Sequence, residues 1–158
     1  MITYILLFLW IALVVFSVVV VLRYYMLYRT AYQFQDWEKS DLPYITVDVQ
    51  GKKLNMIADS AGAVSLIRRE VLETLSVKPS TRKVNLCSIT NEGVDSEVVV
   101  IPISINGKEM DTDFVVYDGD DIGDFKRHGI TIHGLLGVEF FKKTKGKVDF
   151  KTQSVVFS

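Results

Sequence analysis

The chain has 158 residues and a formal net charge of −1, which leaves room for one ordinary domain and gives no strong electrostatic pull on nucleic acid. Cys87 is the single cysteine, so an internal disulfide is excluded, in keeping with a reducing compartment. The apolar fraction of 49% is concentrated at the N-terminus, where no charged side chain precedes Arg23. ITYILLFLWIALVVFSVVVVL would be about 30 Å long as a helix, close to one hydrocarbon core. Residues 1–23 are therefore expected to form one transmembrane helix. The run lacks the positive start, short apolar core and small-residue cleavage site of a signal peptide. Arg23, Arg29 and Lys39 all follow it, and the positive-inside rule places the rest of a single-pass protein in the cytoplasm. Residues 24–42, with Tyr24, Tyr25, Tyr28 and Tyr32 at their start, read as a juxtamembrane linker.

From residue 43 to 158 the pattern becomes one of short strands. YITVDVQ alternates, Gly51-Lys52 is expected to turn, and KLNMIAD returns, which leaves Asp59 at a strand end. Leu66, Ile67, Val71, Leu72 and Leu75 lie at helical spacing in SLIRREVLETLSV and predict a helix over 65–77 that Pro79 closes. KVNLCSI and EVVVIPISI flank a polar tip, and Asn106-Gly107 makes a tight turn into EMDTDFVVYD. DGDDIGDFKRHG is a polar loop without the spacing or closing Glu of a calcium site. ITIHGLLG is a strand running into glycine, VEFFKKT a short helix, and KVDFKTQSVVFS a final hairpin. His128 and His133 would face opposite sides of a strand, and no metal or other cofactor is expected. Cys87 reads as a small strand residue. Many short strands with few helices imply a closed or nearly closed β-structure.

Three segments in order resemble the retropepsin-like aspartic proteases, the single-domain relatives of retroviral proteases. IADSAGAVSLI is similar to their active-site loop, with Asp59, Ser60, Ser65 and Ile67 at the family's spacing. HGLLGVEFF is similar to the apolar-apolar-Gly segment that opens the C-terminal helix, and KVDFKTQSVVF to the final hairpin. The resemblance implies a mostly β, closed barrel of the acid protease fold. It also implies an aspartic endopeptidase active as a homodimer on peptide or protein substrates. Asp59 would be its catalytic residue, one from each subunit. Two carboxylates that close cannot both ionise, so they share a proton, one acting as base on water and the other as acid toward the carbonyl. Ser60, Ala61 and Gly62 would support the dyad, and the tip holding Asn91, Glu92 and Gly93 would be the flap.

The sequence departs from the family in three places. Ala61 stands where relatives have Gly, Gly62 where they usually have Ala, and Glu139 where they commonly carry Asp. A methyl at position 61 could crowd the catalytic water, and would strain the backbone if φ is positive there. That leaves a second expectation open: a catalytically impaired module of the same fold that grips extended peptides by strand addition. For Asp59 taken alone, an ordinary turn aspartate is the plain alternative.

Overall fold

In the computed structural model, which describes residues 2–77, 82–86, 93–118 and 129–157, the apolar N-terminus is a single helix, α1 (Ile2–Thr30). Its segment Thr3–Tyr25 has a mean hydropathy of 3.3 and is nowhere buried within the protein. It is long and apolar enough to cross a membrane. The helix continues beyond residue 23, where it was expected to end. The chain divides into two compact units, Met1–Ala31 and Tyr32–Ser158.

The expected linker is corrected, because the folded unit begins well before Pro43. β1 (Ala31–Gln33) pairs with the last strand of the chain, and α2 (Trp37–Ser40) follows it. Phe34 is buried, its N–H donates to Gln153 O at 2.8 Å, and its ring packs on Trp37 and Phe150 at 5.3 and 5.9 Å. The Tyr32 hydroxyl accepts the Asn106 N–H at 3.0 Å. The Tyr44 hydroxyl donates to Asp36 at 3.0 Å, and burial together with that carboxylate pushes the phenol up to about 12. Aromatic side chains carry the segment into the core. Burial of Phe34, worth roughly 1.5–3 kcal/mol, together with partial burial of Tyr32 and Trp37, offsets part of the entropy lost on ordering it.

The barrel grows from hairpins whose alternation is plain. In β2 (Tyr44–Val49) and β3 (Lys52–Ala58), Val47 faces Leu54 and Ile45 faces Met56, all four buried. The turn between them is Gln50–Gly51, one residue earlier than expected. Both residues have positive φ (53° and 78°), the conformation whose twist matches two paired strands. β5 (Lys83–Leu86), β6 (Val94–Ile105) and β7 (Lys108–Tyr117) form a meander, with Asn106–Gly107 as the second two-residue turn.

The segment 65–77 is the second correction. Leu66–Arg68 is a strand, β4, and only Arg69–Leu72 is helical (α3). β4 lies parallel to β7 and antiparallel to β8 (Gly134–Leu136). Two partners supply hydrogen bonds to both edges of a three-residue strand, and this overrides the local helical spacing. Val71 is still buried and Leu72 and Leu75 still pack on the core. Arg69 donates to both Asp118 oxygens, fixing α3 to the end of β7 and holding the Asp118 carboxyl below its usual range.

The order β2-β3-β8-β4-β7-β6 closes on itself through β2–β6, making a six-stranded barrel with β5 outside. α4 (Val138–Thr144) follows β8, and β9 (Lys147–Asp149) and β10 (Ser154–Val156) form the final hairpin. The second sheet is β1-β10-β9. Cys87, Pro79 and His128 lie outside the described residues, as does all of the polar loop DGDDIGDFKRHG except Asp118 and Gly129.

Candidate active site

Asp59 is the first residue beyond β3, and strand pairing places it. Ala58 lies beside Leu136 in the parallel β3–β8 ladder, and the Asp59 N–H donates to Leu136 O at 3.0 Å. The side chain turns back on its own loop. Oδ1 accepts the N–H groups of Ala61 and Gly62 at 2.9 and 3.0 Å. Oδ2 has no hydrogen-bond partner among the described residues. A Cβ added at Gly62 would lie 2.6 Å from Oδ2 and 3.1 Å from the carboxyl carbon. Glycine at 62 therefore leaves the free oxygen its place.

Turn aspartates commonly accept bonds of this kind. What distinguishes this loop is the way its far side is held. The Val138 N–H donates to Gly62 O at 2.7 Å, and the Gly137 N–H to the buried Ser65 Oγ at 3.0 Å. The Val115 N–H donates to Ser65 O at 2.9 Å. At Gly137 an added Cβ would sit 2.3 Å from Val64 O, and at Gly134 2.2 Å from Leu66 O. The GLLG segment thus passes in backbone contact with the Asp59 loop, which only a residue without a side chain permits.

The family model described as aspartyl protease matches residues 45–140. The chain belongs to the aspartyl protease family. The fold of this aspartyl protease is retropepsin-like. It is similar to the retroviral protease-like domain of Ddi1 from Leishmania major, with a TM-score of 0.53 and 13% identity over 74% of this chain and 88% of that one. It is also similar to a retropepsin-like aspartic protease from Rickettsia conorii, with a TM-score of 0.50 and 18% identity over 72% and 80% of the two chains. No curated protein sequence matches the chain.

The other residues singled out in this family member fall into three groups. Ser60 and Ala61 are exposed beside Asp59. The Ser60 hydroxyl makes no hydrogen bond among the described residues, and it borders a mainly apolar cleft of about 280 Å³ shared with Val138, Phe141, Val148 and Phe150. Ala61 does not have a positive φ, so the backbone strain considered for it is absent. Position 62, not 61, carries the need for a slim backbone. The sequence carried no signal for this, because the Asp59 bond to the Gly62 N–H that folds the residue against the carboxylate is seen only in the structure.

The expected flap is only partly visible. Gly93 stands at the base of the β5–β6 hairpin, where Leu86 pairs with Val94, and a Cβ there would collide with Asn85 Oδ1 at 1.8 Å. Asn91 and Glu92 lie outside the described residues. His133 belongs to the sheet: its Nδ1 accepts the Asn55 N–H at 2.9 Å. Partial burial, helped by the Arg68 charge, lowers its pKa.

Proposed function

We propose that this chain is a membrane-anchored aspartic endopeptidase working as a homodimer, with Asp59 of each subunit in one shared site. One observation carries the reading. The Asp59 carboxylate has one oxygen held by two backbone N–H groups and the other without a partner among the described residues, on a loop braced from behind. Across a two-fold axis, two such free oxygens would meet and share one proton. The ionised carboxylate takes a proton from water, the oxygen of that water adds to the peptide carbonyl carbon, and the protonated carboxyl gives its proton to the carbonyl oxygen. Collapse of the tetrahedral species returns a proton to the leaving amine and restores the pair. The unbonded Ser60 hydroxyl and the adjoining cleft, with half-exposed Phe150 at its edge, support a partner subunit at this face. α1 would be the anchor, and Arg23, Arg29 and Lys39 support a cytoplasmic domain. The impaired-module alternative rested on crowding of the water by the Ala61 methyl and on backbone strain, and with no positive φ at Ala61 the strain argument falls away.

The test is digestion of a peptide library at about pH 4 to 7 by the full chain, beside Asp59→Asn, with sedimentation of the same samples. Cleavage by a dimeric parent and none by the mutant is the expected result. A strictly monomeric protein with no cleavage would overturn the reading.

A further inference from the structure

The folded unit starts much closer to the apolar segment than the sequence pattern indicated. The charge-free run ends at Leu22 and the folded unit begins at Tyr32, so only residues 23–31 intervene. Fully extended, they span at most about 35 Å. As a helical continuation, which α1 provides through Thr30, they span roughly 15 Å. A free linker over the whole of 24–42 would have reached about 65 Å. The slack is removed by the ties of Tyr32 to Asn106, of Phe34 to Gln153 and Trp37, and of Asp36 to Tyr44. A folded chain of the length of Tyr32–Ser158 is about 35 Å across, so Asp59 is confined within about 70 Å of the membrane in every orientation the tether permits.

We infer that the substrates are juxtamembrane stretches of proteins held in the same membrane, cut within a limited height above the bilayer. The inference rests on the anchored-protease reading above. Confinement of enzyme and substrate to one plane at matching height raises their effective concentration, as a linker of matching length does. A soluble polypeptide, or a site held far above the membrane, gains nothing from it.

The experiment reconstitutes the full chain in phosphatidylcholine vesicles with single-pass reporter proteins. Each reporter carries one peptide sequence that the enzyme cleaves in solution, raised on a stiff helical spacer about 20, 40 or 100 Å long. A second version of the enzyme carries a similar spacer of about 50 Å after Thr30. Energy transfer to an acceptor lipid, from a dye on Lys108→Cys in a Cys87→Ser background, reports the height of the domain without needing activity. The lower reporters should be cut at least tenfold faster than both the highest reporter and the soluble peptide. The spacer in the enzyme should lower energy transfer and shift cleavage to the highest reporter, while hydrolysis of the soluble peptide stays unchanged. Equal cleavage at all heights, or a pattern the inserted spacer does not move, overturns the inference. If nothing is cut, soluble peptide included, while energy transfer still falls with the spacer, the protease reading itself has failed and the substrate class falls with it.

Discussion

Two regions of this molecule use glycine for opposite reasons. In the turns of β2–β3 and β6–β7, Gly51 and Gly107 have φ of +78° and +74°, and an added Cβ at either would meet nothing within 4 Å. Space is free there and handedness is the constraint. Around Asp59 the positions reverse. Gly62, Gly134 and Gly137 do not have positive φ, and a Cβ at each would collide with a neighbour at 2.2 to 2.6 Å. Conformation is ordinary there and space is the constraint. A turn glycine answers to its own two dihedrals, whereas a site glycine answers to residues far along the chain. The first can be replaced at the cost of local strain, while the second sets how closely two segments approach.

The largest expected effect separates the chemistry of the braced loop from its architecture. Asp59→Asn should lower peptide cleavage by about 10²–10⁴-fold. Its melting temperature should stay near the parent's, because the amide oxygen still accepts the Ala61 and Gly62 N–H groups. Rates and melts on one preparation check both halves, and parent-level turnover would remove Asp59 from the reaction.

Next comes the contrast between the two kinds of glycine. Gly137→Ala drives a methyl into the Val64 backbone and should destabilise by about 3 kcal/mol or more. Gly107→Ala meets only left-handed strain, partly offset by a stiffer unfolded chain, and should lose roughly 1 kcal/mol. Urea unfolding of the pair is the measurement, and equal losses would dissolve the distinction. Gly62→Ala sharpens it further, because its methyl meets a side chain that can rotate away. Stability should fall by only about 1 kcal/mol while turnover falls at least tenfold, which corresponds to roughly 1.4 kcal/mol of barrier. A full-rate Gly62→Ala enzyme would mean that the free Asp59 oxygen need not sit where the loop leaves it.

A smaller effect belongs to His133, the residue just before β8, whose Nδ1 accepts the Asn55 N–H. Burial lowers its pKa below the usual 6.5. As pH falls through 6.5, the unfolded ring takes up a proton that the folded ring still refuses. Stability is then lost until the folded ring protonates too. Melting curves across this range should show the decline in the parent and a shallower one in His133→Gln; identical slopes would assign the decline to other groups. The smallest effect is expected at Ala61→Gly. Since Ala61 is exposed and free of positive-φ strain, turnover should change by no more than about twofold. Stability should drop by up to about 1 kcal/mol through the looser unfolded chain. A tenfold gain in turnover would show that the methyl crowds the catalytic water after all.

What could be read along the chain follows one physical rule. The β2–β3 and β6–β7 hairpins, the short α4 and the closing β9–β10 hairpin were legible because their signals are contacts between near neighbours. In the β2–β3 and β6–β7 hairpins these are alternation at period two and a two-residue turn with a glycine, and in α4 and the last hairpin a short apolar run and a four-residue return. Asp59 was legible at a strand end for the same reason. The strand Leu66–Arg68 was not, because its partners are β7 and β8, tens of residues away, and its own spacing favoured a helix. β1 and α2 were missed likewise, since YQFQDWEK has no periodicity and its partners, Gln153 and Phe150, lie at the other end of the chain.

The sequence by itself determined the apolar helix, the β-rich character of the rest and an Asp at a strand end, because each depends on composition or on residues a few places apart; the protease character of that loop came from its resemblance to a known family. Only the tertiary structure decided that Gly62 shapes the site, that the GLLG segment braces the loop from behind, and that the folded unit starts at Tyr32, well before Pro43. Those outcomes depend on the close approach of segments distant in sequence, and no local pattern encodes a distance between them.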